Sequence, residues 1–185
     1  MVLYTVGHGA RTGGELIAVL ADAGVGRLAD VRRFPVSARH PHLAGAALSA
    51  TLREGGIAYE WWGEELGGRR RSAGAASRHP AWRDPAFRAY ADHMDTSVFR
   101  AALNRLSTSA HDDPPLAVMC AETLWWRCHR RLIADAAVLR GTPVVHLLDV
   151  RKAQPHPLHP AVRAGCDGWP VYDLGAERPL EFPEG

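Results

Sequence analysis

Val2 to Val6 form a short apolar run rich in β-branched and aromatic residues, and Gly7-His8-Gly9 interrupts it. That pattern predicts a buried first strand with a sharp turn at its end. Thr12 followed by Glu15 is a capping-box spacing, after which Leu16, Ile17, Leu20 and Ala21 recur at helical intervals towards Gly24. A helix is predicted there, with the glycine as its C-terminal cap. Leu28-Ala29-Asp30-Val31 follows as a second strand. A β-α-β unit this short implies a parallel strand pair joined by a right-handed crossover.

The later periods repeat the theme. Ala44 to Glu54 is predicted to be a short helix ending at Gly55-Gly56, and Ile57 to Trp62 a third strand. Gly67 to Ser77 is a Gly- and Arg-rich loop, a candidate lid over whatever lies beneath it. Pro85 to Leu106 carries two apolar stripes, with Asp95-Thr96-Ser97 between them as a site for a second cap. Pro115 to Cys120 is almost wholly apolar, as a central parallel strand should be. Thr123 to Leu139 reads as one helix closed by Gly141, and Pro143 to Leu148 as the last strand. The expectation is a single α/β domain over residues 1–150: a mostly parallel, Rossmann-like sheet with helices on both faces. From Arg151 onward periodicity gives way to proline and histidine, which predicts a surface-wrapped or poorly ordered tail over 151–185.

Composition narrows the function classes. The chain has 185 residues, 22 of them Lys or Arg against 20 Asp or Glu, for a net charge of +2. Such a balance excludes a strongly basic, histone-like binder. No stretch approaches the roughly 20 apolar residues of a membrane span, and the N-terminus lacks the graded pattern of a signal peptide. Three widely spaced cysteines make no disulfide framework. A cytoplasmic protein with reduced thiols and no membrane partner is expected. Lys152 is the only lysine, so nearly all positive charge is guanidinium, the group best suited to bidentate binding of phosphate or carboxylate.

In open α/β sheets, ligands bind outside the carboxyl ends of the strands. Three such ends carry chemistry: Gly7, His8 and Gly9; then Asp30, Arg32, Arg33 and Ser37; then Cys120 and Glu122, with Cys128, His129 and Arg130 read as the first turns of the next helix. Arg32 and Ser37 are the anion-binding candidates, with Asp30 pairing to an arginine as the alternative. Cys120, before a helix N-terminus and near arginines, is a candidate nucleophile. Glu122 and His8 are the acid–base candidates, His129 the next, and Arg130 a holder of carboxylate or substrate. Cys120, Cys128, His129 and His8 are all zinc-ligand types, but adjacent helical residues point about 100° apart. No cofactor is therefore expected, with zinc at these residues as the alternative. A phosphatase loop is excluded because Trp126 occupies the position where its arginine belongs.

These blocks carry a resemblance. Thr5-Val6-Gly7-His8, Asp30-Val31-Arg32 with Pro35 and Ser37, Leu66-Gly67-Gly68, Met119-Cys120-Ala121-Glu122 and Cys128-His129-Arg130 are similar to the bacterial family called domain of unknown function 488. The resemblance runs from about Leu3 to Leu147 and departs at Gly9 and at Trp125-Trp126. It implies a fold and a set of site residues, including Gly7, Gly67 and Gly68, and no particular reaction. The concentration of Cys120, Glu122, His8 and His129 favours an enzyme acting on an anionic, phosphate-bearing substrate such as a nucleotide. The alternatives are a non-catalytic nucleotide- or anion-binding module, or an accessory protein using Trp61, Trp62, Trp125 and Trp126 with Arg69-Arg70-Arg71 on nucleic acid. Exposed tryptophans would also suit a homodimer.

Overall fold

The computed structural model describes residues 2–38, 40–71 and 76–175. Part of the candidate lid (72–75) and the end of the tail (176–185) lie outside the described residues. Six strands form the main sheet: β1 (Leu3–Gly7), β2 (Arg27–Asp30), β3 (Ala58–Trp61), β4 (Leu116–Cys120), β5 (Val144–Asp149) and β6 (Lys152–Pro155). Their order is β3-β2-β4-β1-β5-β6, all parallel except β6, which runs antiparallel to β5. β4 therefore lies between β1 and β2, so the first crossover passes over a strand position rather than joining neighbours. This order also differs from the 3-2-1-4-5-6 order of dinucleotide-binding domains. The most hydrophobic strand wins the central place: all five residues of β4 are buried.

Side chains alternate across the sheet with period two. Leu116, Val118 and Cys120 face one side, where they join α4 (Pro85–Met94), α5 (Ser97–Ser109) and α6 (Arg130–Leu139) in one core. Ala117 and Met119 face the other side, packing with α1 (Gly13–Asp22) and α2 (Gly45–Glu54) through Leu16, Leu20, Leu48 and Leu52. The helix starts obey their local chemistry. Thr12 and Glu15 make the reciprocal capping box of α1, and Thr96 accepts a bond from the Phe99 amide, separating α5 from α4.

Two segments differ from expectation. Residues 123–129 are not a helical turn of α6; they form an irregular loop containing a 3-10 turn at Trp125–Arg127, and α6 begins only at Arg130. The domain also extends past residue 150. Beyond β6, the strands β7 (Val162–Ala164) and β8 (Pro170–Tyr172) form a small antiparallel pair, and Trp169 and Tyr172 join the α4–α6 core. Their physical cause is a buried carboxylate. Asp135 on α6 accepts hydrogen bonds from the Tyr172 hydroxyl (3.0 Å), the His159 amide (2.9 Å) and His156 Nε2 (3.0 Å), all supplied by this segment. A carboxylate with no water must find partners, and α6 alone has none to give. Among the described residues no helix is long and apolar enough to cross a membrane.

Replacing Tyr172 with alanine should cost about 3–5 kcal/mol of unfolding free energy, the range for truncating a buried large aromatic. Urea denaturation measures it. A loss below about 1 kcal/mol would mean that the C-terminal segment only drapes the surface.

Candidate functional site at the carboxyl ends of the strands

The carboxyl ends of β1, β4 and β2 stand side by side, with Gly7 level with Cys120 and Asp30 level with Met119. Above them opens a cleft of about 670 Å³. His8, Arg32, Ser37, Gly68, Cys120, Glu122 and His129 line it, so segments more than a hundred residues apart meet there. Gly7, Asp30, Gly67 and Arg130 do not line the cleft.

Asp30 is fully buried and grips Arg32, whose Nε lies 2.9 and 3.0 Å from its two oxygens and whose Nη2 lies 2.6 Å from Oδ2. Arg32 Nη1 donates to Leu43 O (2.7 Å) and to His8 Nε2 (3.1 Å). Of five N–H groups, one is left. Arg32 is therefore a tie that fixes the loop after β2 while still lining the cleft. His8 is constrained in turn. Its Nδ1–H donates to Gly9 O (2.9 Å), so Nε2 is the acceptor for Arg32, and both ring nitrogens are occupied. Burial, with the Arg32 charge adding to it, lowers its pKa to about 4. In the fold its Nδ1–H is held by Gly9 O and its Nε2 lone pair by Arg32.

Arg130 is buried beneath the cleft. It donates to Thr5 Oγ1 (3.2 Å) and to the Glu122 carbonyl, pinning the loop after β4 from below. Gly7 lies under the same loop: a Cβ there would sit 2.1 Å from Glu122 O, so only glycine lets the loop approach β1 this closely. The Glu122 side chain points outward and is exposed, its Oε1 accepting the Leu124 amide at 3.3 Å.

Cys120, Cys128 and His129 bring their ligating atoms within 4.8 Å of one another. His129 Nδ1 is 3.8 Å from Cys120 Sγ and 3.7 Å from Cys128 Sγ. The expectation that Cys128 and His129 diverge fails because Cys128 is extended (φ −126°, ψ 149°), not helical. Gly68 packs against the imidazole, where a Cβ would lie 2.9 Å from Nδ1. The two thiols divide their acidity. The Cys120 thiol is pushed well above its ordinary value by its interaction with Cys128, with burial adding to this. Burial also opposes ionisation of Cys128, but the hydrogen bond from Cys120 and the adjacent His129 outweigh it and hold Cys128 well below its ordinary value.

Arg33 and Arg69, named above only as lesser candidates, also line the cleft, as do Arg127 and Phe34, which had no expected role. Arg33, Arg69 and Arg127 project into the cleft and make no ion pair among the described residues, and Phe34 presents an exposed ring beside Arg33. Each is an arginine or aromatic next to a motif residue, a signal too common to single out. The tryptophans form no single stacking face: Trp125 is buried, stacked on His146 at 4.3 Å, Trp126 meets it edge-on and is exposed, and Trp61 is exposed on β3.

Besides His8, burial lowers His93 to about 4 and His146 to about 3. All three are neutral in the fold but bind a proton near pH 6.5 once unfolded. Stability should be full above about pH 6.5 and fall steadily as the pH drops towards 4, because only the unfolded chain takes up protons in that window. The urea midpoint at about pH 4.5 should lie clearly below that at about pH 7.5; equal midpoints would contradict the buried, neutral state of these rings.

No curated protein and no solved structure matches this chain. A family model does. It covers residues 14–137, from the start of α1 through most of α6, and so includes the Asp30–Arg32 tie, Gly67-Gly68 and the Cys120, Cys128 and His129 cluster, while His8 lies just before it. With more than half of its length matched, the chain belongs to the family described as Domain of unknown function DUF488.

Proposed function

We propose that the protein is a small α/β enzyme, a hydrolase or transferase, acting on an anionic, phosphate-bearing substrate of nucleotide or nucleic-acid type in this cleft. The observation that carries the reading is the meeting in one cleft of three guanidiniums without acidic partners among the described residues and a thiol–thiol–imidazole cluster. Arg33, Arg69 and Arg127 all line the cleft, and guanidinium is charged at every accessible pH and well shaped for phosphate. Asp84, which lines the cleft with Glu122, is engaged in capping α4 through the Ala86 and Phe87 amides. The exposed Phe34 ring offers a flat face for the base of a nucleotide.

In this reading Arg33 and Arg127 hold the phosphate, and Ser37 supports the loop by accepting the His40 amide at 3.0 Å. The Cys128 thiolate and His129 face the reacting group, and the exposed Glu122 carboxylate moves protons at the rim. A binding module would need the arginines and backbone donors but has no use for paired thiols beside an imidazole.

Inorganic phosphate and AMP, titrated calorimetrically at low salt, test the anion site. The double variant Arg33→Ala, Arg127→Ala should bind phosphate at least about tenfold more weakly, because each lost charge-assisted bond contributes about 1.5–3 kcal/mol. Unchanged affinity would sink the reading. Release of inorganic phosphate from nucleoside 5′-phosphates, abolished by Glu122→Gln with phosphate affinity retained, separates an enzyme from a binding module.

A further inference from the structure

The geometry points to a metal site: we infer that Cys120, Cys128 and His129 together bind one borderline-soft divalent cation, Zn²⁺ in type, leaving its fourth position open to the cleft. The inference rests on ligand geometry and not on the anion reading, although a Lewis acid at this position would deepen it.

Around a tetrahedral zinc ion, with metal–sulfur bonds of about 2.3 Å and metal–nitrogen bonds of about 2.0–2.1 Å, a sulfur and a nitrogen ligand stand about 3.6 Å apart. The observed separations from His129 Nδ1 to the two sulfurs, 3.8 and 3.7 Å, match that spacing without rearrangement. The imidazole is also in the required tautomer. His129 Nε2 lies 3.2 Å from the Val31 carbonyl, so Nε2 carries the hydrogen and Nδ1 turns its lone pair towards both sulfurs. Such a backbone carbonyl behind a histidine is how metal sites orient their ligands. The three ligands come from rigid surroundings. Cys120 ends the central strand, Cys128 and His129 immediately precede α6, and Arg130 clamps the intervening loop to β1.

Both sulfurs are nearly buried, and all three residues line the cleft. The arrangement is thus three protein ligands with one face open, as in catalytic rather than structural zinc sites. Each thiol that ligates gives its proton to solvent, and two thiolates with a divalent cation make a neutral centre. An oxygen from water or from a substrate phosphate would complete the tetrahedron, and the ion would polarise it. His8 is not a fourth ligand, since both its nitrogens are engaged.

The test uses the full chain, reduced and freed of metal, then titrated with Co²⁺ and with Zn²⁺. One equivalent of Co²⁺ should give the intense visible bands of a tetrahedral site together with thiolate-to-cobalt charge transfer. One equivalent of Zn²⁺ should reduce the thiols titratable under native conditions from three to one, Cys166 being exposed and apart. Cys166→Ser should bind normally. Cys128→Ser and His129→Ala should each weaken zinc at least tenfold while the far-ultraviolet circular dichroism stays native. The inference is overturned if the reduced chain binds no Co²⁺ with thiolate charge transfer, if all three thiols stay titratable in excess zinc, or if both variants bind as the parent does. The Arg33→Ala, Arg127→Ala variant keeps the two questions apart: it should retain the metal even where it loses phosphate.

Discussion

A buried guanidinium without a carboxylate partner organises this protein. Arg130 is essentially inaccessible, yet none of its hydrogen bonds ends on an acid. Its charge is answered along a relay. Nη1 donates to Thr5 Oγ1, Thr5 lies 2.7 Å from His146 Nδ1, His146 Nε2 lies 2.9 Å from His156 Nδ1, and His156 Nε2 reaches Asp135 at 3.0 Å. Because Thr5 accepts from Arg130, each donor in the relay can point the same way, from the cation towards the anion. Oriented dipoles of this kind, in a medium of low dielectric constant, support one another and penalise any break. The relay ties together β1, β5, α6 and the segment after β6. It explains why residues that read as a tail are part of the core.

The same cation sets the shape of the site. By holding the Glu122 carbonyl against β1, it keeps the chain after Cys120 irregular until Arg130 itself begins α6. That irregular stretch turns Cys128 back towards Cys120 and lets His129 face both. On the opposite side the Asp30–Arg32 pair does comparable work, committing one arginine to the scaffold so that its neighbours stay free for the cleft. The two motif arginines, Arg32 and Arg130, are thus both tied into the scaffold.

This division explains what could be read in advance. Local signals were reliable where they act locally: the Thr12–Glu15 box, the Thr96 cap and the apolar run of β4 all act within a few residues and need no partner. The gathering of three strand ends into one crevice also followed, because parallel strands place their carboxyl ends together whatever their order. The roles within the crevice did not follow. Whether Arg32 faces a ligand or Asp30, and whether His8 has a free nitrogen, depends on contacts such as Leu43 O that no spacing reveals.

Sequence by itself therefore determined the α/β class, the capped helices, the buried central strand and the convergence of three strand ends on one cleft. Tertiary structure alone decided the strand order, the fate of residues 151–175 and the meeting of Cys120 with Cys128 and His129. The reason is the range of the forces involved. Hydrophobic period and capping act over one or two turns of chain, whereas a buried charge takes its partners wherever the fold can supply them. Asp135 found its partners twenty or more residues away, and Arg130 found Thr5 at the other end of the domain.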